Sequence, residues 1–285
     1  MSNEQAPFAT IQEARRWASL FLQKSSREVR VVDLLLEHTL ELSFSQLLAY
    51  EHDPFPEQKQ AWFIKAVEKH VYTGVPVQHL MGEAPFYGRD FTVNRHVLIP
   101  RPETEELILG TLQKMKLESP VIVDLGTGSG IIAITLKLEC PSSQLLATDL
   151  SAEAIEVAKQ NADTLNADIE FFQGDFLEPI KQQPVDVIIS NPPYIAFSEK
   201  LSDTVENFDP SLALFAEEEG LAAYRTILDQ IVRYKLSPSL IAFEIGHEQG
   251  EVVKSLIERK LLGYDVQIEK DINKKDRMIF AKLAD

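Results

Sequence analysis

The chain has 285 residues, 45% of them hydrophobic and 25% charged, a balance that suits a globular protein with room for two domains. A formal net charge of −16 argues against a protein that holds nucleic acid by neutralising its phosphates. The single Cys140 excludes an internal disulfide, Met1 to Ala9 carry no basic, apolar leader, and no apolar run is long enough to span a membrane, so a cytoplasmic protein is expected.

Up to Thr73 the chain reads as helices. Phe8, Ile11, Ala14, Trp17, Ala18, Phe21 and Leu22 recur at three- and four-residue spacing, and Val29, Val32, Leu35 and Leu36 repeat the stripe. Phe44, Leu47 and Leu48 make a short third piece that Asp53-Pro54-Phe55-Pro56 breaks. A fourth helix, Glu57 to Thr73, should turn Trp62, Phe63, Ala66, Val67 and His70 inward and stop at Gly74. From Val75 to Ile99 short β-like runs surround a turn signal at Tyr87-Gly88-Arg89-Asp90, which predicts a hairpin. The expected organisation is a helical domain over 1–83, a β-hairpin linker over 84–100, and an α/β domain over 101–285. The last of these opens with a helix after Arg101-Pro102, where proline and acidic side chains suit a first turn.

Val121 to Leu125 is a buried parallel strand, followed by Gly126-Thr127-Gly128-Ser129-Gly130 and an apolar helix from Ile131. Such a loop turns tightly and lets a ligand approach the backbone, while its amides and the helix N-terminus suit an anionic group. A dinucleotide fingerprint would place its third glycine at Ile131, so the G-x-G-x-G spacing instead resembles the first motif of S-adenosylmethionine-dependent methyltransferases. The next strand, Gln144 to Thr148, ends at Asp149, whose carboxylate suits either a ribose diol or the start of the helix after Ser151. A third buried strand, Val185 to Ser190, runs into Asn191-Pro192-Pro193-Tyr194, which should face the same crevice as the glycine loop.

The composition of that tetrapeptide has a chemical reading. An amide or exocyclic amino nitrogen is a poor nucleophile, because its lone pair is delocalised. The Asn191 oxygen and the Pro192 carbonyl could accept its two N–H groups and aim it at an electrophilic methyl group. The prolines stiffen the backbone, and the Tyr194 ring can stack on a planar group. Farther on, Gly220 to Val232 reads as helix, Leu240 to Ile245 as strand and Glu248 to Lys260 as helix. Tyr264 to Glu269 and Met278 to Lys282 read as a final strand pair.

Together these motifs resemble the release factor glutamine methyltransferase family nearly end to end. The resemblance runs through Pro76 to Gly82, Phe86-Tyr87-Gly88, Leu98 to Glu105, Asp124 to Gly130, Gly174-Asp175-Phe176, Ser190 to Ile195, Gly220-Leu221, Tyr224-Arg225, Glu244 to Gly250 and Asp276-Arg277. The Ile99-Pro100-Arg101-Pro102-Glu103-Thr104-Glu105 segment is its most selective mark. It implies a class I, Rossmann-like α/β fold with a seven-stranded sheet whose last strand is antiparallel, behind a small helical domain that grips the release factor. It further implies methyl transfer from S-adenosyl-L-methionine, leaving S-adenosyl-L-homocysteine, to a glutamine side-chain amide in peptide chain release factors. Gly126, Thr127, Gly128, Ser129, Gly130, Asp149, Leu150, Asp175, Phe176 and Asn191 would hold the cofactor. Asn191 and Pro192 would be catalytic, and Pro193, Tyr194, Arg101 and Glu103 would meet the substrate with them. A monomer is expected, with no metal, since the six histidines lack ligand spacing.

Three departures stand out. Phe176 replaces a frequent tryptophan, Ala216 to Glu219 replaces a glycine-richer turn, and Asp271 to Lys275 lacks the usual glycine. Two other readings compete: an amino-methyltransferase acting on adenine or guanine in DNA or RNA, and a binding module that holds the cofactor or docks on translation factors. The intact tetrapeptide weighs against the binding module, which has no use for an oriented acceptor pair.

Overall fold

In the computed structural model, residues 7–199 and 207–284 are described; residues 1–6, where the stretch read as lacking a leader begins, lie outside them. The chain divides after Gly82 into a helical unit and a sheet-containing unit.

The helical unit contains α1 (Ile11–Lys24), α2 (Arg30–Leu40), α3 (Phe44–Ala49), α4 (Glu57–Thr73) and α5 (Val77–Met81). Helix α1 starts where Thr10 and Glu13 close a reciprocal capping box, and α4 ends at Gly74 in the left-handed region, which suits glycine. Their apolar stripes meet in one core holding Ala18, Leu22, Leu35, Leu36, Phe63 and Val67. Two expectations are corrected. Trp62 points outward at 39% exposure and packs beside the His38 ring instead of entering the core. Val77–Met81 is a short helix rather than a β-like run, because Pro76 opens it and Gly82 closes it with positive φ.

The second unit opens with a hairpin, β1 (Glu83–Phe86) and β2 (Arg89–Thr92), across a two-residue turn in which Tyr87 and Gly88 both have positive φ. Phe86 and Phe91 drop from it into the core of this unit. After α6 (Pro102–Lys114) come β3 (Val121–Leu125), α7 (Ile131–Glu139), β4 (Gln144–Asp149), α8 (Ala152–Leu165), β5 (Glu170–Gln173) and β6 (Val187–Ser190). Short strands β7 (Ile195–Ala196) and β8 (Phe215–Ala216) pair with each other. The helix Ala222–Tyr234, β9 (Leu240–Glu244), the helix Gly250–Lys260, β10 (Tyr264–Lys270) and β11 (Asp276–Leu283) complete the unit.

The seven strands lie in the order β10-β11-β9-β6-β3-β4-β5, and only the last strand in the chain, β11, runs antiparallel to its neighbours. This is the sheet that the resemblance implied. Strands β3, β6 and β9 are almost wholly apolar and buried, as a parallel sheet covered on both faces requires. From β3 the chain winds outward to β4 and β5, then returns to place β6 on the other side of β3. The crevice at such a reversal, beyond the carboxyl ends of the strands, is where open α/β sheets bind ligands.

Candidate active site

The carboxyl ends of β3 and β6 are joined by a bond from the Ser190 hydroxyl to the Leu125 carbonyl, 2.6 Å. The glycine loop follows one strand and Asn191 the other. Both line one cavity of about 570 Å³, within the range of small-molecule sites.

Gly126, Gly128 and Gly130 have φ of 74°, 57° and 83°, values that side chains adopt only at a cost. A Cβ at Gly126 or Gly128 would meet no atom within 4 Å, whereas one at Gly130 would press on Ile134 and Ala158. Gly126 and Gly128 thus leave the cavity wall open, and Gly130 lets α7 pack against α8. The expectation of a loop of free donors narrows. The amides of Gly126 and Thr127 donate to the Thr148 carbonyl, that of Gly130 to the Thr127 carbonyl, and that of Gly128 to Asp149 Oδ2 at 2.9 Å.

Asp149 also accepts from the Ser151 amide through Oδ1, while the Ser151 hydroxyl caps α8, which gives the helix-start reading of this carboxylate a structural basis. Burial is the main influence on Asp149 and raises its pKa; bonds from backbone amides oppose it. Asp124 sits behind the loop and is wholly buried. Its Oδ2 accepts from the Thr127 hydroxyl and the Ala133 amide, Oδ1 has no partner, and burial pushes the carboxyl up to about 7. Thr127, Ser129, Leu150, Asp175 and Phe176 all line the cavity, with Leu150 58% exposed.

On the opposite side, Asn191, Pro193, Arg101 and Thr104 line the cavity, whereas the side chains of Pro192, Tyr194 and Glu103 do not. Asn191 Nδ2 donates to Thr104 Oγ1 at 3.3 Å, and the Thr104 hydroxyl donates to Glu244 Oε2 at 2.7 Å. The Tyr194 phenol reaches Glu244 Oε1 at 3.5 Å and takes a bond from Arg277 Nη1 at 3.5 Å. Burial raises the pKa of this phenol far above its ordinary range, so it stays a neutral donor. Glu244 is wholly buried as well, and that pushes its carboxyl up to about 7. Arg101 pairs with the buried Asp209 at 2.8 Å. The acidic run after it is equally engaged: Glu105 accepts from the Tyr87 amide at 2.7 Å and Glu106 from the Ile272 amide at 3.2 Å.

Several residues that shape this site had no signal in their spacing. Asn161 on α8 donates to the Ser129 carbonyl and exchanges two bonds with the Thr92 backbone. Gln230 holds the Asp175 carboxylate and the Leu177 amide. Gln249 donates to the Tyr194 carbonyl at 2.8 Å. Each is a polar residue on an otherwise apolar helix face or at a helix start, a weak cue in sequence and a decisive one once burial is known.

Comparison with known proteins decides the family. Residues 103–211 match the Methyltransferase small domain and residues 13–82 the PrmC N-terminal domain. A protein of Bacillus anthracis named release factor glutamine methyltransferase is 41% identical over 96% of this chain and 99% of its own length. The chain belongs to the release factor glutamine methyltransferase family. A second member, from Bacillus subtilis (strain 168), is 43% identical over 95% of this chain and 97% of its own length. Among solved structures, a methyltransferase from Pyrococcus furiosus aligns with 81% of this chain and all of its own at a TM-score of 0.53. The hMettl16 catalytic domain aligns with 81% of this chain and 84% of its own at 0.56. At 17% and 14% identity these two show the fold alone, the class I methyltransferase fold. Among the described residues no helix is long and apolar enough to cross a membrane.

Proposed function

We propose that this enzyme transfers a methyl group from S-adenosyl-L-methionine to the side-chain amide nitrogen of the glutamine in the Gly-Gly-Gln motif of class I peptide chain release factors. The observation that carries this reading is the shared cavity: Asn191 at the end of β6 faces the space that the glycine loop leaves open at the end of β3. The family of the chain supplies the substrate class.

The cavity fits the cofactor. Gly126 and Gly128 leave a backbone cradle that any Cβ would enter, and the Asp149 carboxylate lies beside it with lone pairs to spare for ribose hydroxyls. The half-buried Phe176 and the exposed Leu150 offer apolar faces to a flat ring, with Asp175 at its edge. When bound there, S-adenosyl-L-methionine supplies an electrophilic methyl group on a sulfonium.

The chain's own residues then do the positioning. Asn191 Oδ1 and the Pro192 carbonyl accept the two N–H groups of the glutamine amide and hold its nitrogen in place. Tyr194, fixed by Glu244, Arg277 and Gln249, braces this acceptor pair from behind. Arg101, on the cavity lining and held by Asp209, contacts the incoming loop of the release factor, and Glu103 near it in sequence is proposed to meet the same loop. The helical unit grips the body of the release factor; its exposed Phe44, Leu48, Trp62 and Tyr72 support that role. The proposed setting is the cytoplasm, with the enzyme working as a monomer.

The test is radiolabelled methyl transfer with purified release factor, total RNA and total DNA as parallel acceptors. Labelling of the release factor alone is expected, given the charge of −16. Asn191→Ala should lower turnover by roughly 100–1000-fold with cofactor affinity nearly intact. Preferential labelling of nucleic acid, or a wild-type rate in Asn191→Ala, rejects the reading.

A further inference from the structure

The side-chain amide of Asn191 has two ends, and only one of them accepts hydrogen bonds. What decides which end meets the substrate lies behind it. Thr104, on the first turn of α6, is fully buried, and its hydroxyl donates to Glu244 Oε2 at 2.7 Å. A hydroxyl has one hydrogen. With that hydrogen engaged by Glu244, Thr104 Oγ1 turns only lone pairs toward Asn191. The amide can meet those lone pairs only with its nitrogen, and Nδ2 stands at 3.3 Å. The oxygen is then the end left for the cavity.

We propose that Thr104 and Glu244 are positioning residues that hold the Asn191 amide with its oxygen toward the substrate nitrogen. This inference rests on the reading of Asn191 as the acceptor. Thr104 lies 87 positions from Asn191 in sequence, and Glu244 lies 140 from Thr104, so the relay exists only in the folded sheet.

The relay has a direction, and the charge on Glu244 sets it. An ionised carboxylate only accepts, which gives the arrangement just described. A proton on Oε2 would be donated to Thr104, whose own hydrogen would then turn to Asn191. The amide would answer with its oxygen and present Nδ2 to the cavity, a donor facing a donor. The groups that face Glu244 are the Thr104 hydroxyl and Glu103 from α6, the Tyr194 phenol and Arg277 from β11. Its own main-chain carbonyl is pinned by the Tyr224 phenol at 2.8 Å. Burial dominates and pushes the carboxyl up to about 7; Thr104, Arg277 and Tyr194 favour the ionised form, and Glu103 opposes it. Turnover should therefore rise as pH climbs through about 7.

The experiment uses the full chain with purified release factor and follows kcat, KM and pH profile for wild type, Thr104→Val, Thr104→Ser, Glu244→Gln and Asn191→Ala. Binding of S-adenosyl-L-homocysteine is measured alongside. Thr104→Val should lower kcat by roughly 10–100-fold, the size seen when an orienting partner is removed, with cofactor affinity changed less than about 2-fold. Thr104→Ser restores the hydroxyl and should restore most of the rate. Glu244→Gln cannot titrate, and the limb near pH 7 should vanish. A wild-type rate in Thr104→Val, or a Thr104→Ser as slow as the valine variant, overturns the proposal. If Asn191→Ala is slow while Thr104→Val is not, only this inference fails; if Asn191→Ala is itself unaffected, the acceptor reading fails with it. Should Thr104→Val not fold, the side-chain amide resonances of Asn191 in the wild type decide. They should shift with a midpoint near pH 7 that Glu244→Gln abolishes, and a flat response overturns the proposal.

Discussion

The two sides of the cavity are built by opposite means. The glycine-loop side is largely main chain held by main chain and by the Asp124 and Asp149 carboxylates, most of it between Asp124 and Ser151, with Asn161 from α8 added. The Asn191 side is a mesh of side chains from α6, β9, β11 and the start of the helix Gly250–Lys260. The first is local, so its glycine spacing can be read directly. The second is assembled by the fold, and each member is a point at which a single change breaks it.

The largest effect should come where the mesh is tightest. A Cβ on Gly220 would lie 2.1 Å from the Tyr194 carbonyl oxygen and 2.6 Å from Gln249 Nε2, at a φ of +84°. Gly220→Ala combines an overpacked contact with a left-handed backbone and should cost about 3 kcal/mol or more. Because the displaced atom belongs to the tetrapeptide, turnover should collapse while cofactor affinity survives in whatever fraction folds. Denaturant unfolding of Gly220→Ala with an unchanged midpoint would break the comparison.

On the glycine-loop side the sharpest probe is Asp149. Its carboxylate both shapes the loop through Gly128 and lies where the ribose is proposed to bind. Asp149→Ala should weaken cofactor binding by about 1.5–3 kcal/mol, the range for hydrogen bonds to a charged group. Saturating cofactor should then recover much of the rate, which it cannot do for Gly220→Ala. Unchanged affinity by calorimetry would remove Asp149 from the cofactor site.

Asp124 gives a smaller and pH-dependent effect. Burial raises its pKa from 3.8 to about 7, so the folded protein keeps a proton that the unfolded chain releases. Its contribution to stability is present at low pH, falls as pH rises between those values, and levels off above about 7. Glu244, raised from 4.5 to about 7, slopes the same way. Asp124→Asn should flatten the curve, gaining relative to wild type between pH 5 and pH 8 in unfolding measurements. A wild-type protein that gains on Asp124→Asn over that interval would contradict the assignment.

The same contrast explains what sequence could and could not supply. Strands β3, β4, β6 and β9 were legible to within two residues or so, because a covered parallel strand is a short apolar run bounded by turn residues; the antiparallel pair β10 and β11 was legible to the same precision as two β-like runs. Strand β5 was not. It lies at the sheet edge, and Glu-Phe-Phe-Gln is too short and too polar at its ends to show a period. Trp62 was placed inside because Ala61 to Ile64 is apolar all along, and periodicity cannot say which member of such a run turns out. Asn191 was legible as part of a tetrapeptide. Thr104 sat inside the selective Ile99 to Glu105 segment but had no legible role, since its context reads equally well as an ordinary first helical turn; its burial against Glu244 supplies one.

The smallest predicted effect concerns the two turns that depart from the glycine-richer family pattern. Both keep the backbone that glycine would favour: Glu218 and Glu219 have φ of 54° and 58°, and Lys274 has 63°. Left-handed conformation costs a residue with a Cβ about 1–2 kcal/mol, and a glycine gives back about 0.5–1 kcal/mol through the freedom it adds to the unfolded chain. Glu218 is a clouded test, because its carboxylate pairs with Arg225 at 2.7 Å. Lys274 is cleaner. Its side chain is exposed, and the turn is held by backbone bonds between Asp271 and Lys274 and by Asp271 Oδ1 on the Lys275 amide. Lys274→Gly should therefore raise stability by up to about 1 kcal/mol and leave methyl transfer unchanged. Gly128→Ala is the mirror experiment at φ 57°, and there the same backbone cost should come with weakened cofactor binding, because the new methyl group enters the open cradle. If Lys274→Gly loses stability, the left-handed turn is held by something other than its backbone bonds, and the parallel between the two kinds of turn fails.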